Sequence, residues 1–306
     1  MLILRSDGNH MFDVMIIGGG PSGLSAALVL GRAKRSVLVI DNEQARNLVV
    51  QSSHGFLTRD AISPKELRQL AKKELKKYKT VQFCYGTAIN LQQSHSTFTI
   101  EVGSLQFSAK KVIVASGLKE QLPNINGLKD LYGKYVFSCP YCDGWELRDQ
   151  KLTVIGNGDK LIEYVKLIRQ WSNEIEILTG GPRTFTNKDY DELKHRRIPI
   201  MEEEISGFFR ERNELQIALS NGVVITCDAA FLLKTNAKQQ MILPEHLQVK
   251  LKKNGSYETS LHGQTIQRGL YIIGDAAKRF TGLVGAASEG YEAGVHLNKE
   301  LVEEEW

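Results

Sequence analysis

Apolar positions in this chain fall in short, unbroken runs rich in Val and Ile, each closed by a glycine or an acid. Asp13-Val14-Met15-Ile16-Ile17 and Ser36-Val37-Leu38-Val39-Ile40 show no polar alternation, which predicts strands buried on both faces. The first runs into Gly18-Gly19-Gly20-Pro21-Ser22-Gly23 and a helical stretch over 24–30. The second ends on Asp41 and completes a βαβ unit. Ser63-Pro64-Lys65-Glu66 is a capping box with proline at the first helical position, so a helix starts there. Its period puts Leu67, Ala71, Leu75 and Tyr78 on a buried stripe and leaves the neighbouring lysines on a solvated face. Docking of an acidic partner on those lysines is the second reading.

Further strands are predicted at 81–84, 97–100 and 112–114, and the stretch 119–127, with Pro123 and two asparagines, reads as a crossing linker. A second βαβ pattern follows. Residues 152–155 form its strand, Gly156-Asn157-Gly158 its turn, and Leu161, Tyr164, Val165 and Ile168 one side of its helix. Its next strand is 174–178, and another is placed at 229–233. Near the end, a strand at 270–273 meets Gly274-Asp275 and a Gly/Ala-rich helix. The alternation predicts an α/β fold with two Rossmann-like, dinucleotide-binding halves.

Composition narrows the picture. A length of 306 residues, 42% of them hydrophobic, suffices for two domains, and a net charge of +4 gives no argument for nucleic acid. No run approaches the ~18 apolar residues of a spanning helix, and the opening Met1-Leu2-Ile3-Leu4-Arg5-Ser6-Asp7 is too short for a signal peptide. No membrane association is expected, and the chain reads as cytoplasmic. Four cysteines agree with that: Cys139 and Cys142 sit together, while Cys84 and Cys227 stand alone and read as buried small hydrophobes.

Two motifs carry chemistry. Gly18-x-Gly20-x-x-Gly23 between a strand and a helix, with Asp41 after the next strand, fits a dinucleotide pyrophosphate on a helix N-terminus and ribose hydroxyls on the acid. Cys139-Pro140-Tyr141-Cys142 has two readings. A structural zinc site needs four ligands, and no second cysteine or histidine pair supplies them. A redox dithiol needs only the spacing present here, and Asp143 follows as a proton shuttle.

Ser138-Cys139-Pro140-Tyr141-Cys142-Asp143-Gly144, set between the N-terminal fingerprint and Gly274-Asp275, resembles the low-molecular-weight thioredoxin reductase family. The resemblance implies a discontinuous FAD-binding domain, residues 1–119 and 241–306, with a smaller NAD(P)H-type domain, 120–240, inserted and carrying the cysteines. It implies that Cys142 faces the flavin, that Cys139 attacks the substrate disulfide and that Asp143 is the acid/base. It assigns FAD contacts to Gly18, Gly20, Pro21, Ser22, Gly23 and Asp41. It extends them to Asn47, Ala88, Ser116, Gly117, Gly274, Asp275 and Val284. A homodimer is also implied.

The chain departs from the family pattern on the nicotinamide side. Leu161 stands where the second fingerprint has a small residue. After the next strand, where members using NADPH carry His-Arg-Arg-x-x-x-Arg, the chain has Thr179-Gly180-Gly181-Pro182-Arg183, leaving a displaced arginine. His195-Arg196-Arg197 reads as a helix C-terminal cationic cap before a strand at Ile198. Thr281-Gly282 replaces an Arg-Gln pair, and Lys234-Thr235-Asn236 a glycine segment. The stretch 47–60, including His54, is similar to a subgroup that includes fungal dithiol oxidases. His54 is a base or flavin neighbour in one reading and a plain loop histidine in the other. The expectation is thus an FAD enzyme exchanging electrons between Cys139/Cys142 and a small dithiol or thioredoxin-like protein, with weak or absent NADPH use. A protein electron donor is a further possible partner. The rivals are a conventional NADPH-dependent thioredoxin reductase and a flavin redox sensor without turnover.

Overall fold

The structure, a computed structural model, describes residues 10–306; the Met1 to Asp7 stretch read above lies outside them. The chain opens with β1 (Met11–Ile17), α1 (Pro21–Arg32), β2 (Val37–Asp41), α2 (Pro64–Leu75) and β3 (Val81–Tyr85). Then come β4 (Ala88–Ser94), β5 (Thr97–Val102), β6 (Leu105–Val114) and the short β7 (Leu118–Lys119). The middle of the chain holds α3 (Leu128–Leu131), β8 (Val136–Phe137), α4 (Pro140–Asp143), β9 (Leu152–Ile155), α5 (Leu161–Ile168) and β10 (Ile175–Leu178). It continues with α6 (Asn187–His195), β11 (Ile200–Met201), β12 (Ile205–Glu211), β13 (Glu214–Leu219), β14 (Val224–Cys227) and β15 (Ala229–Leu232). The last segment holds β16 (Lys238–Gln239), β17 (Leu270–Ile272), α7 (Asp275–Lys278) and α8 (Gly282–Glu305).

The contacts divide the chain into two compact units. One comprises the chain up to Leu48, Phe56–Lys119 and Lys238–Trp306; the other comprises Val49–Gly55 and Glu120–Ala237. In the first, the sheet runs β3-β2-β1-β6-β5-β4, with β17 added on β6. β6 is long because it serves three neighbours. Its first half pairs antiparallel with β5 (Ala109 opposite Phe98), its last residues pair parallel with β17 (Val114 opposite Ile272), and β1 runs parallel along its other edge. The unbroken apolar runs supply both faces. Met15, Leu38, Val112 and Ile272 are buried on one; Ile16, Val39, Ile113 and Tyr271 are buried on the other, under Leu24 and Leu30 of α1 and Leu297 of α8. α1 and α8 pack so closely that a side chain at Gly290 would strike the Ser22 carbonyl oxygen. The chain leaves and re-enters this unit along β7 and β16, which pair antiparallel.

The second unit has a five-stranded parallel sheet, β11-β10-β9-β15-β8, and an antiparallel sheet, β12-β13-β14. Two apolar clusters fill it, one around Val154, Val165, Ile177 and Phe231, the other around Val136, Leu178, Ile217 and Leu232. These observations match the α/β, two-Rossmann expectation. Among the described residues no helix is long and apolar enough to cross a membrane.

The structure corrects two local expectations and adds to a third. The lysines of α2 do not all face solvent: Lys72 is half-buried because it reaches Asp41, as the buried Arg68 also does. The sequence places Leu161 at the small-residue position of the second glycine turn, where its bulk works against close helix–strand packing. The helix begins at Leu161 itself, after a loop through Gly158, and its side chain is fully buried. The strand expected at Ile198 starts at Ile200, one residue beyond Pro199, which lacks the N–H a ladder needs.

Candidate active site

In the first unit the parallel strands β1, β2, β6 and β17 end side by side, so their following loops share the carboxyl edge of the sheet, where open α/β folds bind ligands. Gly18, at φ 117, has a backbone that strains any L side chain, and a Cβ there would strike the Ala115 carbonyl oxygen. A Cβ on Gly23 would strike the Gly18 carbonyl oxygen, so α1 can approach β1 only with glycine at this position. Gly20, the N-cap of α1, faces open space, and Pro21 opens the helix. Free backbone N–H groups at this helix start suit a pyrophosphate.

Asp41 is 4% exposed at the end of β2. Its Oδ1 accepts the Glu43 N–H at 3.0 Å, and its Oδ2 pairs with Arg68 at 2.6 Å and Lys72 at 3.0 Å. Burial pushes this carboxyl up, but Arg68, Lys72 and the Glu43 N–H outweigh it, and the pKa lies below the usual carboxylate value. Asp275, at the start of α7, takes Arg46 at 2.9 Å on one oxygen and the N–H and hydroxyl of Thr281 at 3.0 Å on the other. Gly274 donates its N–H to Glu289 at 2.7 Å and adjoins Ser22. Ser116 and Gly117 follow β6, and the Ser116 hydroxyl is buried with no hydrogen-bond partner among the described residues. That orphaned hydroxyl, the open Gly20 and the helix start fit a bound FAD. Asn47 lies half-buried on a short turn and Ala88 opens β4, while Val284 stands exposed on the first turn of α8.

In the second unit Cys139 and Cys142 are joined as a disulfide across a Cα–Cα distance of 5.2 Å. Proline at the first position of α4 and Cys139 at its N-cap shape the turn; the Cys139 carbonyl accepts the N–H groups of Cys142 and Asp143. A Cβ on Gly144 would meet the indole of Trp171 at 2.8 Å, and the Tyr141 ring meets that indole edge-on at 5.6 Å. Burial, helped by the nearby Glu146 carboxylate, pushes the Asp143 carboxyl up to about 7. His54 Nδ1 lies 3.5 Å from Glu146 Oε1, so the structure ties it to a carboxylate that acts on Asp143. The buried Tyr164 hydroxyl, its pKa raised by burial and by the charges of Tyr132 and Asp143, lies 3.2 Å from the carbonyls of Ser138 and Leu232. It steadies the strand leading into the disulfide.

The second glycine turn is held from within. The Asn157 carbonyl oxygen accepts from the Gly158 N–H at 2.9 Å and from the Thr184 N–H and hydroxyl at 2.8 and 3.0 Å. Its amide donates to the Pro182 carbonyl at 2.9 Å. Arg183 gives its backbone N–H and one guanidinium nitrogen to the two oxygens of Glu202, both at 2.9 Å, and stacks 4.1 Å from the centre of the Tyr190 ring.

Sequence reasoning missed Arg46, Arg68, Glu146, Asn157 and Glu202. The partners of Arg46 and Arg68 lie 229 and 27 residues away, and no local spacing marks them.

Comparison with known proteins agrees with this geometry. The sequence pattern of the pyridine nucleotide-disulphide oxidoreductase family matches residues 12–290. A probable thioredoxin reductase of Arthroderma benhamiae is 28% identical, over 96% of this chain and 81% of its own length. The crystal structure of a putative thioredoxin reductase from Bacillus anthracis superposes with a TM-score of 0.91 at 34% identity, covering 96% of this chain and all of that one. An oxidoreductase from Agrobacterium tumefaciens follows at 0.89 and 28%, covering 96% and 99%. The chain belongs to the pyridine nucleotide-disulphide oxidoreductase family, as a thioredoxin reductase-like, FAD-dependent enzyme.

Proposed function

We propose that this flavoenzyme exchanges electrons with an external dithiol or disulfide through Cys139 and Cys142, and that it uses NADPH weakly or not at all. The observation carrying the first part is the disulfide beside a carboxyl whose pKa lies at about 7. A thiolate of the substrate attacks Cys139 Sγ; the Cys139–Cys142 bond breaks and Cys142 leaves as a thiolate. The second substrate thiol then attacks the mixed disulfide and releases Cys139, so the substrate ends oxidised and the enzyme pair reduced. A carboxyl that titrates near neutrality can deliver and recover the proton, the role read for Asp143. Burial sets most of that proton affinity and Glu146 adds to it; Glu146 also holds His54, which we assign to positioning. Gly18, Gly20, Gly23, Ser116 and the Gly274-Asp275 segment are the residues we assign to FAD, which when bound supplies a two-electron redox partner for the dithiol.

Weak NADPH use is supported by Arg183: its guanidinium is spent on Glu202 and Tyr190 and is not offered to a 2′-phosphate. A thioredoxin-like protein is a candidate substrate, and a cytoplasmic homodimer is the assembly the family suggests. Anaerobic mixing with NADPH, NADH or a dithiol, followed at the flavin band near ~450 nm, tests the reading. Bleaching by dithiol alone is expected. Rapid bleaching by NADPH would instead make the chain a nicotinamide-driven reductase. Cys139→Ala and Cys142→Ala should each abolish exchange with FAD retained.

A further inference from the structure

The cations of α2 and its C-cap line a concave site that adjoins Asp41 and lies away in sequence from the cysteine motif. Lys65, Arg68, Lys72, Lys73 and Lys76 line a cavity of about 460 Å³ whose wall also includes Tyr85. Residues 65, 68, 72 and 76 follow one another at three- and four-residue spacing, so helical geometry aligns them along one face. Two carboxylates are close, Glu43 and Asp41, and both are already engaged by Lys72 or Arg68. Lys65, Lys73 and Lys76 have no carboxylate partner among the described residues, and like charges one turn apart repel. Tyr85 is 57% exposed, and its ring centre lies 4.7 Å from the Lys72 ammonium, so an aromatic face borders the cationic one.

We infer that this cavity binds a small polyphosphate. Several ammonium groups around one concave surface match multiple phosphate charges better than a single carboxylate. The cavity volume lies in the range of small-molecule sites, and the exposed Tyr85 face leaves room for an attached base. Inorganic polyphosphate and a nucleoside triphosphate share this chemistry. The site does not draw on the residues assigned to FAD except through the cations that hold Asp41, and it stands or falls independently of the exchange reaction.

The test uses FAD-loaded protein, its flavin content measured first, titrated calorimetrically with inorganic triphosphate and with ATP. Both should bind, more weakly as salt is raised. Lys73→Glu/Lys76→Glu, two exposed positions, should weaken binding by at least about tenfold through charge reversal, with flavin content unchanged. Tighter binding of ATP than triphosphate, lost in Tyr85→Ala, identifies the nucleotide as the better ligand; equal binding identifies the polyphosphate alone. No binding, binding that survives the double charge reversal, binding matched by sulfate at equal ionic strength, or binding only after flavin is stripped would each overturn the inference.

Discussion

Asp143 gives the most quantitative test of the site. Its carboxyl moves from 3.8 to about 7, chiefly through burial and secondarily through Glu146. A tenfold change in proton affinity corresponds to about 1.4 kcal/mol between protonation states. Between about pH 4 and 7 the folded protein keeps a proton that the unfolded chain has lost, so stability falls as pH rises through that window and levels off above it. Asparagine cannot ionise and removes this fall. Asp143→Asn should therefore match the wild type below pH 4, exceed it by about 1.5 kcal/mol at pH 5 and approach about 4 kcal/mol at pH 8. The last figure is a ceiling, since water entering the site relaxes the penalty. Urea unfolding of the oxidised protein at pH 5 and pH 8 measures the difference, followed by tryptophan fluorescence; Trp145 and Trp171 lie in the unit that holds the disulfide. The same variant should lose any inflection near pH 7 in its rate of disulfide exchange. An unchanged stability difference from pH 5 to 8 would refute the account of burial at this carboxyl.

Other consequences are simpler to check. Arg68→Ala leaves the buried Asp41 with Lys72 as its remaining side-chain partner, and thermal unfolding should report a loss of about 2–3 kcal/mol. Ser63→Ala removes the hydroxyl that accepts the Glu66 N–H at 3.1 Å, and should cost about 1 kcal/mol in urea titration. After reduction, iodoacetamide at pH 8 should label Cys139 or Cys142 and spare Cys84 and Cys227, as read by peptide mass spectrometry. Burial raises both of those thiols, and pushes Cys227 up to about 12.

The elements legible in the sequence are those whose signal is local. Val37 to Ile40 could only be a doubly buried strand, Ser63 and Glu66 mark a helix start within four residues, and the two cysteines announce their own chemistry. What escapes is set by partners distant in the chain. Periodicity sends the lysines of α2 to solvent, yet Asp41 supplies a buried acceptor that turns Lys72 inward beside Arg68. Arg183 reads as a displaced phosphate grip until Glu202, which follows the next strand, is seen to occupy two of its donors. The sheet β12-β13-β14 leaves little mark in the sequence, because its strands mix charged and apolar residues without a clean alternation. The pKa of Asp143 is equally invisible there, because its chief cause is burial, with the neighbouring Glu146 a smaller one.

The long β6 strand and the α1–α8 contact also dictate an order of assembly during synthesis. The stretch Glu120–Ala237, nearly the whole of the second unit, is complete before β17 and α8 have been made. Until then Leu24 and Leu30 of α1 lack the apolar face of Leu297, and the last residues of β6 lack their β17 partner. The inserted unit can therefore fold on the ribosome while its host waits, holding an exposed apolar surface and an open strand edge that invite aggregation. Loss of α8 to a premature stop would make that transient state permanent, and the product would be an insoluble chain rather than a merely slower enzyme.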